Sequence, residues 1–286
     1  MSIKADRGIF KPSGWLLVAL FWSLTGAASA AEVLPTKAMT HNGVTAHRGY
    51  SGRFVENTLE AFSEAIAMGV DWIECDIFLS ADGQIVVTHD ANMVRVSGVE
   101  AEISEHSYEF LSALDVAVGF RGDRNLNEAQ MPPQRLPLLQ DILELVKKQS
   151  TTRLSIQPKD GSTEAAIALI KELKATPWVG FNDGNLEKMS TVKRLAPEIP
   201  VFWDRVDIQA VDSDIDTALD RGFESLVYNR RLITDEAIDK VHKAGLEFGV
   251  WTVNDASEMR RFINQGVDRL YTDYPDKALR YFLFQH

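Results

Sequence analysis

The run Trp72-Ile73-Glu74-Cys75-Asp76-Ile77-Phe78 follows a stretch of helical period, Asn57 to Met68, in which Leu59, Phe62, Ala65 and Ile66 share one stripe that Gly69 continues. A short strand-like run after an amphipathic helical segment is the unit that decides the fold, because it recurs along the chain. Further strands are expected at Val44 to His47, Ile85 to His89, Arg153 to Gln157, Trp178 to Phe181, Pro200 to Trp203, Ser225 to Tyr228, Glu247 to Val253 and Arg269 to Thr272. Helical stripes fall between most of them, at 139–146, 165–173, 186–195, 234–244 and 257–265. Repeated strand–helix units imply a parallel sheet with right-handed crossovers, and seven or eight of them close most economically as an α/β TIM (β/α)8 barrel. The 286 residues suit one such unit. An open, doubly wound sheet is the alternative, but no Gly-x-Gly-x-x-Gly follows any strand here, which removes its commonest nucleotide site. One stretch breaks the rhythm: from Ala91 to Pro137, glycines, acids and Pro132-Pro133 carry no sustained period. Residues 91–135 are therefore expected to be a small insertion or cap after the third strand, where a long loop is usually functional.

With 45% hydrophobic and 25% charged residues the chain has a globular balance, which excludes disordered and multi-span membrane classes. The formal charge is −11, from 30 basic and 41 acidic residues, with no basic run, so nucleic acid is disfavoured and no nucleic-acid partner is expected. An anionic small molecule would need local cations or a metal. Lys4, Arg7 and Lys11 precede an apolar run from Trp15 to Thr25, and Ala28-Ser29-Ala30 is a small-x-small site, so residues 1–30 read as a secretory signal peptide. The apolar run is shorter than the ~20 residues of a spanning helix. The expected mature protein, residues 31–286, is exported to a periplasm or the extracellular space, without stable membrane insertion. Losing three basic residues and one acid takes its formal charge from −11 to −13. The single cysteine, Cys75, forms no internal disulfide.

Several expected strands end in polar residues: His47-Arg48-Gly49 after the first, Glu74 and Asp76 within the second, His89-Asp90 after the third, and Gln157-Pro158-Lys159 after the fourth. A barrel places its active site at these carboxyl ends. Glu74 and Asp76, at i and i+2, project to one face, where two carboxylates coexist cheaply only if one takes a proton or a cation lies between them. Oxygen donors of this kind suit Ca²⁺ or Mg²⁺ better than Zn²⁺.

The ordered elements His47-Arg48-Gly49, Glu56-Asn57-Thr58, Gly69-Val70-Asp71, Glu74-Cys75-Asp76, Asp82-Gly83 and Val87-Thr88-His89-Asp90 resemble the glycerophosphodiester phosphodiesterase family. The resemblance resumes weakly at Leu136-Pro137-Leu138-Leu139. It is strong at Val250-Trp251-Thr252-Val253-Asn254, Gly266-Val267-Asp268 and Thr272-Asp273-Tyr274-Pro275. It implies metal-dependent hydrolysis of glycerophosphodiesters to glycerol 3-phosphate and an alcohol, with a small-molecule phosphodiester as the partner. It implies further that His47 and His89 are the catalytic acid and base, in an order left open, that Glu74 and Asp76 are metal ligands, and that Arg48 clamps the phosphate. The glycerol 2-hydroxyl is expected to attack first and give a cyclic phosphate that water opens.

Two positions depart from the family pattern. Where a glutamate usually stands two residues before the fourth-strand lysine, this chain has Gln157, a neutral ligand whose amide oxygen can still meet a hard cation; after Pro137 it reads Leu138-Leu139-Gln140, again without a carboxyl. Weaker metal affinity, a compensating acid such as Asp160, or a site that has lost catalysis are the expected consequences. Lys159 is expected to reach the phosphate, Trp251 either walls the glycerol or belongs to the barrel core, and Glu56 and Asn57 either support the site or cap the first helix. Asp273 is either a supporting acid or a turn residue, while His41, His106, His242 and His286 are expected at the surface. Two other functions compete: a non-catalytic barrel that binds phosphodiesters or polyol phosphates, and a phosphodiesterase directed at lysophospholipids, for which Phe110, Leu111 and Phe120 of the insertion would supply apolar contacts.

Overall fold

The structure is a computed structural model that describes residues 42–231 and 233–283, all within one compact unit. The expected signal peptide, His41 and His286 lie outside the described residues. Among the described residues no helix is long and apolar enough to cross a membrane.

Nine strands follow in chain order: β1 (Val44–Ala46), β2 (Trp72–Leu79), β3 (Ile85–Val87), β4 (Arg153–Pro158), β5 (Val179–Asp183), β6 (Val201–Arg205), β7 (Ser225–Asn229), β8 (Glu247–Trp251) and β9 (Arg269–Thr272). Their order in the sheet is β1-β9-β8-β7-β6-β5-β4-β2-β3, and β1 also pairs with β2, so eight parallel strands close into a TIM barrel. The strand expected at Ile85 to His89 is not one of the eight. It runs antiparallel to β2 on the outer part of that strand, Leu79 opposite Ile85 and Ile77 opposite Val87. The reason lies in the connection: the turn at 80–84 is closed by Gly83 donating to the Ser80 carbonyl and Gln84 to Ser80 Oγ, and a parallel return needs a crossover of a dozen residues or more. Periodicity reports a strand but not its direction.

Helices Leu59–Ala67, Leu139–Val146, Thr163–Glu172, Leu186–Leu195, Val211–Arg221, Asp235–Lys243, Ala256–Asn264 and Pro275–Leu283 surround the ring. Their buried stripes meet the outward strand residues in one core that includes Phe62, Ile73, Ile142, Phe181, Val192 and Phe262. The barrel interior has its own apolar layer of Trp72, Phe202, Val227 and Tyr271. Helix Val211–Arg221 escaped the sequence pattern because its buried stripe is Val211, Asp214 and Ala218. The buried acid is satisfied by the Tyr228 hydroxyl at 2.7 Å and Arg205 at 2.8 Å. The first helix is capped by Thr58, whose hydroxyl accepts from the Ala61 amide, and not by Asn57, whose φ of 56° puts it in the left-handed region and aims its side chain inward.

The insertion is ordered into short helices Val94–Ser97, Tyr108–Ala113 and Val118–Arg124 around a small core of Val86, Met93, Ile103, Leu111, Val116 and Leu136. Arg124 reaches the carbonyls of Ser51 and Gly52 at 3.5 and 3.4 Å, tying this cap to the loop that follows β1.

Candidate active site

The loop after β1 turns through Arg48 and Gly49, both with positive φ. A Cβ at Gly49 would lie 2.8 Å from the Ala61 backbone, so only glycine lets the first helix approach this closely. The turn aims the Arg48 amide at Glu74 Oε2, 3.0 Å away, and sends its guanidinium across the mouth to Glu56 at 3.0 Å and Asp76 at 3.4 Å. Glu74 and Asp76 are both buried on the inner face of β2, as their i, i+2 spacing requires. Asp76 Oδ2 accepts from Asn57 Nδ2 at 2.9 Å, and Lys159 Nζ lies 2.9 Å from Asp76 Oδ1. Asp76 and Gln157 are register partners across β2 and β4 and therefore stand side by side. Gln157 Oε1 accepts from Lys159, and its Nε2 donates to Asp204 on β6 at 3.0 Å.

The two histidines arrive by different routes. His47 directly follows β1, and its Nδ1 meets Asp273 at 2.7 Å, just beyond β9. Ser51 and Asn254 donate to the same carboxylate at 3.0 and 2.6 Å. His89 follows β3, whose reversed direction brings it back to the level of Asp76: the Thr88 amide donates to the Asp76 carbonyl at 3.0 Å. His89 Nδ1 meets Asp90 at 2.7 Å, and Arg95 bridges Asp90 to Glu56. In both rings a carboxylate occupies Nδ1, which leaves Nε2 for a substrate.

Charge and burial set these groups apart. Burial and the neighbouring Asp76 push the Glu74 carboxyl above its usual range. Burial acts the same way on Asp76, but Lys159, Arg48, His89 and the Asn57 amide outweigh it and hold that carboxyl low. For His47, burial favours the neutral ring, yet the Asp273 hydrogen bond and the Glu74 charge prevail and raise its pKa. For His89 burial prevails, aided by Arg48 and Lys159 against Asp76 and Asp90, and lowers it. Burial pushes the Asp204 carboxyl up to about 7.

A cavity of about 370 Å³ opens over this set, lined among others by His47, Arg48, Glu74, His89, Lys159 and Trp251. A second, of about 380 Å³, shares His47, Arg48 and Thr252 with it and extends under the insertion past Phe120 and Arg124. Trp251 thus stands at the cavity wall, its Nε1 donating to the Val227 carbonyl at 3.2 Å. Of the three apolar insertion residues, Phe120 reaches the second cavity, Leu111 is buried in the cap core, and Phe110 is exposed and stacks on His106. Asp160 does not enter the site: its oxygens accept from the amides of Leu79 and Ser162, both at 2.9 Å. Sequence reasoning missed Arg95, Asn182 and Asp204. The last was open to the strand-end rule, since it directly follows the run Pro200 to Trp203.

Among the described residues no group of three or more His, Cys, Asp and Glu side chains gathers in metal-binding geometry. The donors at hand are the Glu74 and Asp76 carboxylates and the Gln157 amide oxygen, with Asp76 Oδ1 held at 2.9 Å by the Lys159 ammonium. An all-oxygen set with two carboxylates fits one hard divalent cation.

Residues 47–277 match the glycerophosphoryl diester phosphodiesterase family. A glycerophosphodiester phosphodiesterase of Caldanaerobacter subterraneus is 30% identical over 242 residues, covering 82% of this chain and 96% of that protein. Mouse lysophospholipase D GDPD1 is 24% identical, covering 81% and 83%. The structure of an Oleispira antarctica phosphodiesterase in complex with the product sn-glycerol-3-phosphate is 26% identical, covers 83% of this chain and 95% of that one, and superimposes with a TM-score of 0.71.

Proposed function

Because the chain belongs to the glycerophosphoryl diester phosphodiesterase family and is a phosphoric diester hydrolase, we propose that its barrel mouth hydrolyses glycerophosphodiesters to glycerol 3-phosphate and an alcohol with the help of Ca²⁺ or Mg²⁺. The observation that carries this reading is the pair His47 and His89, lining one cavity with Arg48, each imidazole held at Nδ1 by its own carboxylate.

Held by Glu74, Asp76 and Gln157, the cation would neutralise charge that gathers on the phosphoryl oxygens in the transition state. Arg48 faces the same cavity and contributes donors to those oxygens. The environments of the histidines divide the proton work. Asp273 receives only neutral donors besides His47, so it favours the imidazolium there, whereas Asp90 is already engaged by Arg95 and supports His89 less. His89 therefore accepts the proton of the attacking hydroxyl, the glycerol 2-hydroxyl or water, and His47 gives one to the departing alcohol. His47 borders both cavities and His89 only the first, which favours glycerol beside His89 and Trp251 and the alcohol toward Phe120. A phosphorus NMR time course on glycerophosphocholine tests the bond cleaved: glycerol 3-phosphate with choline supports the reading, and choline phosphate with glycerol contradicts it. Binding without turnover would favour the non-catalytic alternative.

Export belongs to the same reading and rests on the basic and apolar residues of the first thirty positions and on Ala28-Ser29-Ala30. A mature amino terminus at Ala31 in protein recovered from its producing cell would support it.

A further inference from the structure

The substitution that most weakens the cation site in sequence has a neighbour that answers it. We propose that Asp204 is a positioning residue for that site: it binds the Gln157 amide by its nitrogen and turns the amide oxygen toward Asp76.

The inference rests on the cation reading above and on the geometry of six side chains. Gln157 stands next to Asp76 on adjoining strands, so its amide must choose which end faces the acids. Left to itself, the nitrogen would be drawn to carboxylates, and an amide with its nitrogen there repels a cation. Asp204 removes that choice by taking Nε2 at 3.0 Å on the far side, while Oε1 lies where the Lys159 ammonium meets both it and Asp76. Asp204 is itself held: Asn182 Nδ2 donates to the same Oδ2 at 3.2 Å, and Asn182 Oδ1 accepts from Ser155 Oγ at 2.7 Å. The chain Ser155–Asn182–Asp204–Gln157 thus spans three neighbouring strands of the barrel and ends on the amide nitrogen, which leaves the oxygen facing Asp76. Partners of this kind that orient a ligand without touching the metal commonly change affinity by about 10–100-fold.

Calorimetric titration of the full chain with Ca²⁺ and with Mg²⁺ tests this without reference to turnover. Asp204→Asn should weaken cation binding about 10–100-fold, and Asp204→Glu, which keeps a carboxyl acceptor without an amide nitrogen, should lose less. In a Gln157→Glu background the sign should change: a carboxylate at 157 has no nitrogen to hold and repels Asp204, so Asp204→Asn should leave affinity unchanged or raise it. Thermal unfolding of each variant establishes that it is folded. Asp204→Asn within twofold of wild type, or an equal loss in both backgrounds, overturns the inference alone. A folded wild-type chain that takes up neither cation overturns the cation reading and this inference with it.

Discussion

Strand β2 carries two kinds of buried polar environment, one at each end of the barrel, and they are built on opposite rules. At the floor, Arg269 is 1% exposed, yet its guanidinium lies 3.8 Å from the Phe202 ring centre and 4.8 Å from that of Trp72, and it pairs with Glu247 at 3.1 Å. Trp72 meets Phe202 edge-to-face with ring centres 4.9 Å apart. The Arg269 charge there is opposed by Glu247 and by two aromatic faces. At the mouth, two and four residues further along the same strand, Glu74 and Asp76 share a face, and Asp204 stands near them. Arg48 and Lys159 pair with Asp76, yet carboxyls crowded together out of water still cost stability, and a fold keeps them where chemistry needs them.

That contrast sets the expected effects. The largest is catalytic and confined to the mouth: His47→Ala and His89→Ala should each lower kcat/KM for glycerophosphocholine by about 10²–10⁴, with little change in thermal midpoint. At the floor the reverse holds. Trp72→Ala should cost on the order of 3–5 kcal/mol in denaturant unfolding while the folded fraction keeps its kcat. A floor variant that abolished turnover at unchanged stability would erase the distinction between the two ends.

A smaller effect has opposite signs in function and stability. Glu74 has a folded-state pKa raised by burial, so its contribution to stability is complete below the unfolded value and lost as pH rises through the folded one. At pH 8 in chelator, Glu74→Gln should therefore stabilise the protein by roughly 1–3 kcal/mol while weakening cation binding. A destabilised variant under those conditions would mean that the carboxylate is well paired. The subtlest effect is on the pH profile. His89, lowered, must lose its proton to act as base, and His47, raised, must keep one to act as acid. The kcat/KM profile should thus be a bell whose acid limb lies below the ordinary histidine value and whose alkaline limb lies above it. Inverted assignments would leave a reverse-protonated enzyme with a much lower maximum.

Much of the mouth was legible because strand-end polarity is a local property: His47, Glu74, Asp76 and Gln157 announce themselves as residues an apolar interior would reject. What escaped depends on partners distant in sequence. Nothing within Ile85 to His89 tells that β3 folds back on β2, although its histidine still reaches the expected level. Asp214 hid a helix because its burial is satisfied by Tyr228 from the next strand. For Asn57 the sequence leaves helix cap and site support both open, because its bond to Asp76, across 19 positions, is invisible locally. Nearness in sequence suggests Asp160 as the acid beside Gln157, whereas the barrel brings Asp204 of β6 to it across the mouth.

The most direct test is glycerol 3-phosphate release from glycerophosphocholine by metal-stripped protein, measured before and after adding back Ca²⁺ or Mg²⁺. The rate should be absent after stripping and return with the cation. An undiminished rate in chelator, or none with either cation, would refute the view that the mouth's acids serve a metal-assisted diesterase.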